Sequence, residues 1–158
     1  MTPANLAAQF DELAKKNPQL ATSLKGQSAE QVAKIKFIGY ETASNVLREG
    51  FMPNVNVMND SENMPVTLDE WSKASEKELT SYKPSIRRIQ AAAGEMVEIK
   101  FTLPMKLNNN QTVNLASLQY LVMRGRDGYS ISCVMLDKQA AAFMPTCEKI
   151  GLSFRWLN

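Results

Sequence analysis

The sequence contains no histidine. That absence removes the most common general base, the Ser-His and Cys-His nucleophile pairs and the commonest zinc sites. Carboxylate, lysine or tyrosine chemistry stays open. Cysteine is scarce, with Cys133 and Cys147 as the two in the chain. They lie too far apart for a CxxC redox motif and are too few for a thiolate zinc site. The preferred reading is two buried thiols acting as small hydrophobes. The alternative is a disulfide, which requires an oxidising compartment. No run of ~18 apolar residues occurs, so no helix is expected to span a membrane. Nor does one sign of charge dominate. With 18 basic and 16 acidic side chains the net charge is +2, too balanced to point to nucleic acid, which needs a concentrated basic face.

The start, Met1-Thr2-Pro3-Ala4-Asn5, lacks a basic stretch followed by an apolar one. Two expectations follow: a cytoplasmic protein, or a periplasmic or secreted one whose export signal has been removed and a start Met added.

What is present suits one core. The 158 residues are 44% hydrophobic and 22% charged, enough for one proper hydrophobic interior and too few for two. Residues 3–16 predict an amphipathic helix carrying Leu6, Phe10 and Leu13, with Thr2 as cap and Pro3 at the first helical position. Asn17-Pro18 breaks it and starts a shorter one with Leu20 and Leu24. Ser28-Ala29-Glu30-Gln31 has capping-box spacing for one more turn. The domain division expected is therefore a helical extension over residues 1–33 and an α+β domain over 34–158.

Ile35, Phe37, Ile38 and Tyr40 predict a strand. Residues 42–52 read as an excursion, Val55 and Val57 as a second strand, and Asp60 to Pro65 as a loop. Thr67-Leu68-Asp69-Glu70 is a capping box opening a helix to about Tyr82, with Leu68, Trp71, Ser75, Leu79 and Tyr82 as its buried stripe. Pro84 stops it. Ile86 and Ile89 mark a short strand and Ala93-Gly94 a turn. Val97, Ile99, Phe101 and Leu103 alternate with Met96, Glu98, Lys100 and Thr102 as a half-buried antiparallel strand. Leu118, Tyr120 and Val122 lie on the next. Arg124-Gly125-Arg126-Asp127-Gly128 is a hairpin turn in which Asp-Gly supplies the positive φ, followed by Tyr129, Ile131 and Cys133. Asp137 caps a last helix through Phe143, which Pro145 is expected to interrupt; Ile150, Leu152 and Phe154 close the chain.

Three segments carry a family resemblance. Pro53-Asn54-Val55-Asn56-Val57 precedes a loop and the Thr67-Leu68-Asp69-Glu70 helix. Gly128-Tyr129-Ser130-Ile131 begins a strand, and Phe143, Ile150 and Ser153-Phe154-Arg155 follow at family-like distance. Over roughly residues 34–156 the chain resembles the PsbP-like family, which includes an extrinsic subunit of photosystem II, a nuclear Ran-binding protein of the same fold and many small bacterial secreted proteins and lipoproteins. The resemblance implies an α/β/α sandwich around a central antiparallel sheet and a mostly non-catalytic binding role. It makes Tyr129 and Phe154 core residues and Asn54 and Asn56 strand-edge or turn residues.

Candidate sites are then weighed against simpler roles. Arg87, Arg88, Lys100, Lys106, Arg124 and Arg126 form a basic face for docking anions if their strands are neighbours; the preferred reading is solvated charges that discourage edge pairing. Asp60, Glu62, Asp69 and Glu70 surround one loop, but a calcium ion needs ~6–8 oxygens, and Glu70 is better used in the capping box and Asp69 in the helix's first turn. Met96 and Met123, with Leu121, put apolar side chains on a nominally wet sheet face. That face is either an adaptable binding surface or lies under the N-terminal helix, which is preferred.

The expected protein is thus not an enzyme and has no catalytic residue, cofactor or metal. It is a protein-binding or accessory protein of the PsbP-like class, working outside the cytoplasm, with Met96, Arg124 and Arg126 as contacts to another protein. The alternatives are a cytoplasmic chaperone or adaptor shielding a hydrophobic segment of a secreted protein, and a small-molecule or lipid carrier with an enclosed apolar cavity.

Overall fold

Side chains two apart on a strand share a face, and the alternating segments of this chain pair into one sheet. The computed structural model describes residues 34–41, 51, 53–60, 67–106 and 110–157. The chain divides into two compact units, Met1–Lys36 and Phe37–Asn158, and the second holds nearly all the elements below. The helices expected before residue 33, most of the excursion over 42–52 and most of the loop before Thr67 lie outside the described residues.

The strands are β1 (Ile35–Tyr40), β2 (Asn54–Asn59), β3 (Ser85–Ala91), β4 (Gly94–Lys106), β5 (Thr112–Arg124) and β6 (Asp127–Leu136). They form one six-stranded sheet in the order β1-β2-β6-β5-β4-β3, and β2–β6, β6–β5, β5–β4 and β4–β3 are antiparallel. Between β2 and β3 lies helix α1 (Leu68–Leu79), extended by a 3-10 turn at Thr80–Tyr82, and after β6 comes helix α2 (Ala140–Leu152). The class is α+β. Among the described residues no helix is long and apolar enough to cross a membrane.

Register assigns the two faces. Met96, Tyr120, Val122, Ile131, Cys133, Val55 and Val57 stand on one of them. This face packs with Ala140, Phe143, Met144 and Cys147 of α2 and with Phe154 and Trp156 beyond it. Val97, Ile99 and Leu121 stand on the opposite face and pack with Leu68, Trp71 and Leu79 of α1. The helices therefore cover opposite sides. Burying each large side chain of these clusters contributes about 1.5–3 kcal/mol.

Several sequence expectations need correction. β4 is not half-buried at its start: Met96, Val97, Glu98 and Ile99 are all buried, because helices lie over both faces there. The residues assigned to one face under an N-terminal lid lie on two: Met96 faces α2, and Leu121 faces α1. Pro145 does not interrupt that helix, which runs on to Leu152. Pro145 and Ala141, whose carbonyl loses its donor, are both exposed, so the lost bond falls on the solvent side of the helix, where it is least costly. The β5–β6 hairpin turns at Gly125-Arg126, with Arg124 opposite Asp127. Gly125 has φ +61°, which suits glycine at the first central position of a tight hairpin turn. Gly128 belongs to the strand.

The α1 capping box forms as expected. Thr67 Oγ1 accepts from the Glu70 amide at 3.2 Å, and the Glu70 carboxylate accepts from the Thr67 amide at 3.1 Å. Its apolar stripe is half-buried rather than buried, and Tyr82 is exposed, resting beside Phe101 at 6.2 Å between ring centroids.

Candidate functional site

A carboxylate buried in a sheet core is costly unless every oxygen is satisfied. Glu98 of β4 is 3% exposed and meets that requirement. Arg87, opposite it on the edge strand β3, donates from Nε to Oε1 at 2.6 Å and from a terminal nitrogen to Oε2 at 3.1 Å. Tyr120, opposite it on β5, donates its hydroxyl to Oε2 at 3.0 Å. Lys100 Nζ lies 3.5 Å from Oε1 and 2.7 Å from Glu148 on α2. One carboxylate so ties together β3, β4 and β5, and Lys100 extends the chain of charges to α2.

Burial works to raise the Glu98 pKa, but the hydrogen bonds from Arg87 and Tyr120 and the charge of Lys100 outweigh it and hold the group below the usual carboxylate range. Burial, then the bond to Glu98, pushes the Tyr120 phenol up. Its bond to Glu148 raises the Lys100 ammonium. A low carboxylate, a high phenol and a high ammonium are each locked in the form they hold at neutral pH. None is poised near it, as a general acid or base would be.

Gly151 lets α2 settle on this cluster: a Cβ there would lie 2.2 Å from the Tyr120 ring. One helical turn earlier, Cys147 meets Cys133 of β6. Both thiols are free and buried and belong to one apolar cluster.

The three expected contact residues fall in different settings. Met96 is 0% exposed and sits in the α2-side core, so it is part of no surface in this fold; the helix that covers it stands far along the chain, and alternation alone gave no sign of it. Arg124 ends β5 with its guanidinium 4.6 Å from the Trp156 ring centroid, a cation–π geometry. Arg126 is exposed at the hairpin turn.

The wider basic face does not assemble. Arg87 and Arg88 point to opposite sides of β3, and Arg88 pairs with Asp69 and Glu95. Lys106, at the far end of β4 opposite Thr112, is separated from Arg124 by roughly 40 Å of strand at ~3.4 Å per residue. Of the acidic loop residues, Asp60 accepts from Ser130 Oγ at 2.9 Å, Asp69 pairs with Arg88, Glu70 closes the capping box, and Glu62 lies outside the described residues.

Reading the sequence missed the partnership of Glu98, Tyr120 and Gly151. The available signal was Glu98 itself, an acid in register with a tyrosine and an arginine on neighbouring strands. It also missed the large apolar side chains left in water: Phe37 at 54%, Leu157 at 90%, and Ile150 and Leu152 on α2.

No known family model matches the sequence, and no curated protein does. In fold, the chain is similar to a crystal structure of a Pseudomonas aeruginosa protein of unknown function. The two share 9% sequence identity with a TM-score of 0.63, over 77% of this chain and 83% of the other. That likeness is one of fold alone.

Proposed function

We propose that this chain is a non-catalytic protein-binding or accessory protein of the PsbP-like class. The observation that carries the reading is the closure of its ionic core. Glu98, Arg87, Tyr120, Lys100 and Glu148 are bound to one another, leaving shape, apolar side chains and arginines for a partner to read. Arginine and large apolar groups are the usual anchors of such contacts. The antiparallel sheet with helices on opposite faces fits the PsbP-like resemblance. Arg124 and Arg126 on the β5–β6 hairpin are the contact residues of this proposal, and the resemblance to secreted proteins and lipoproteins supports a role outside the cytoplasm.

The test is photocrosslinking in the source organism, with the probe at Arg126 or at Lys73 on the exposed side of α1. A discrete protein adduct from Arg126, absent from Lys73 and lost with Arg124→Ala, is the expected result. Equal or absent adducts from both positions in properly folded protein would dismiss the hairpin as a contact surface.

A second reading, a cytoplasmic chaperone or adaptor for a hydrophobic segment of a secreted protein, is favoured by the unbonded thiols and by exposed Ile150 and Leu152. Under that reading Ile150→Glu with Leu152→Glu abolishes the partner adduct while Arg124→Ala spares it.

A further inference from the structure

Two constraints bring the only cysteines of the chain together. On α2, Gly151 rests against the Tyr120 ring, and Cys147, one turn earlier on the same side, points at the same sheet face. On the sheet, Cys133 stands opposite Leu118 while Tyr120 stands opposite Ile131, all on that face. Both cysteines belong to one buried apolar cluster with Ala116, Leu118 and Met135. The pair bridges the last strand of the meander and the helix that roofs it. Two free thiols so placed have a chemistry that simple packing does not need: each can attack a mixed disulfide formed on the other.

We propose that Cys133 and Cys147 form a redox pair, and that a low-molecular-weight disulfide such as oxidised glutathione converts it to a bond stapling α2 to β6. In the first step the Cys147 thiolate attacks one sulfur of the small disulfide, and a small thiolate leaves as a mixed disulfide forms. The Cys133 thiolate then attacks the Cys147 sulfur and expels the second small thiolate. The protein gives up two protons and two electrons, and the small disulfide is reduced to two thiols. Cys147 is carried by the helix and is the less deeply buried of the two, so it reacts first, when α2 lifts from the sheet. The staple then fixes the roof of this face, whereas the dithiol leaves it free to open.

The experiment uses the full wild-type chain incubated with oxidised glutathione, quenched by alkylation and digested with trypsin without reductant. Cleavage after Arg126, Lys138 and Lys149 separates the two cysteines onto different peptides. The expected result is one linked peptide pair, an intact mass lighter by two hydrogens, and a melting midpoint raised by several degrees that dithiothreitol reverses. Stable glutathione adducts on the separate peptides would overturn the proposal. So would cysteine-linked dimers, or thiols that stay free in urea just below the unfolding transition. Because wild type carries the readout, the result does not depend on whether a cysteine variant folds, and it bears on the thiols whichever partner the surface takes.

Discussion

Glu98 ties the protein's stability to acid pH. Its folded pKa is held below the value near 4.3 expected of an unfolded glutamate. The unfolded chain therefore binds more protons between the two values, and stability rises with pH across that window. The contribution is complete above about pH 4.5 and drains away as pH falls through the folded pKa. Urea midpoints measured from about pH 6 to about pH 3 should fall more steeply for wild type than for Glu98→Gln. Glu98→Ala additionally leaves the buried Tyr120 hydroxyl without its acceptor, at about 1–3 kcal/mol. Adding Tyr120→Phe should recover part of that loss in a double-mutant cycle. Gly151 is sensitive for a different reason. Its missing side chain is the space the Tyr120 ring occupies, so Gly151→Ala must push helix from sheet. A loss of about 1–3 kcal/mol is expected from overpacking, read by thermal unfolding, and pairing it with Tyr120→Leu should soften the loss.

Among the elements, α1 owes its start to local chemistry and its position to a narrow stripe. Thr67→Ala removes the hydroxyl that accepts from the Glu70 amide. It should cost about 0.5–2 kcal/mol, typical of a lost N-cap, measured as a shift in the urea midpoint. Thr67→Ser should be nearly silent. This capping box was legible in the sequence because all its partners lie within four residues. The strands were legible for the same kind of reason, since alternation is a local pattern. What was not legible came from distant partners. Met96 and Glu98 looked wet because α2, which covers them, lies some fifty residues later in the chain. Pro145 looked like a stop because sequence does not say which side of a helix faces water. Of the candidate contacts, Arg126 was readable as a turn residue, but the stacking of Arg124 on Trp156 was not, since it joins a hairpin to a tail across the sheet's end.

At the scale of the second unit, that tail closes one end of the structure. Tyr129, Phe154 and Trp156 pack ring to ring at 5.5–5.6 Å between centroids. Trp156 Nε1 donates to the Ala93 carbonyl in the β3–β4 turn at 2.9 Å, and Arg124 lies over the same indole. One side chain thereby joins two hairpin ends. Trp156→Ala should cost less than the ~3–5 kcal/mol of a fully buried aromatic, because the ring is only half-buried. Its signature should be spatial: amide exchange should quicken at Gly94 and around Gly125-Arg126 while the α1 amides keep their protection. Uniform quickening across the unit would mean that the tail stabilises the whole rather than latching one end.

The placement of α2 after every strand also sets an order on biosynthesis. A ribosome finishes the meander before it makes the helix that roofs it, so Tyr120, Met96 and their neighbours are extruded before α2, which packs on them, has been translated. Domains emerge N-terminal first, and exposed apolar sheet is prone to association. The nascent chain must therefore wait, or be escorted, until Gly151 and Trp156 have left the exit tunnel and can settle into place.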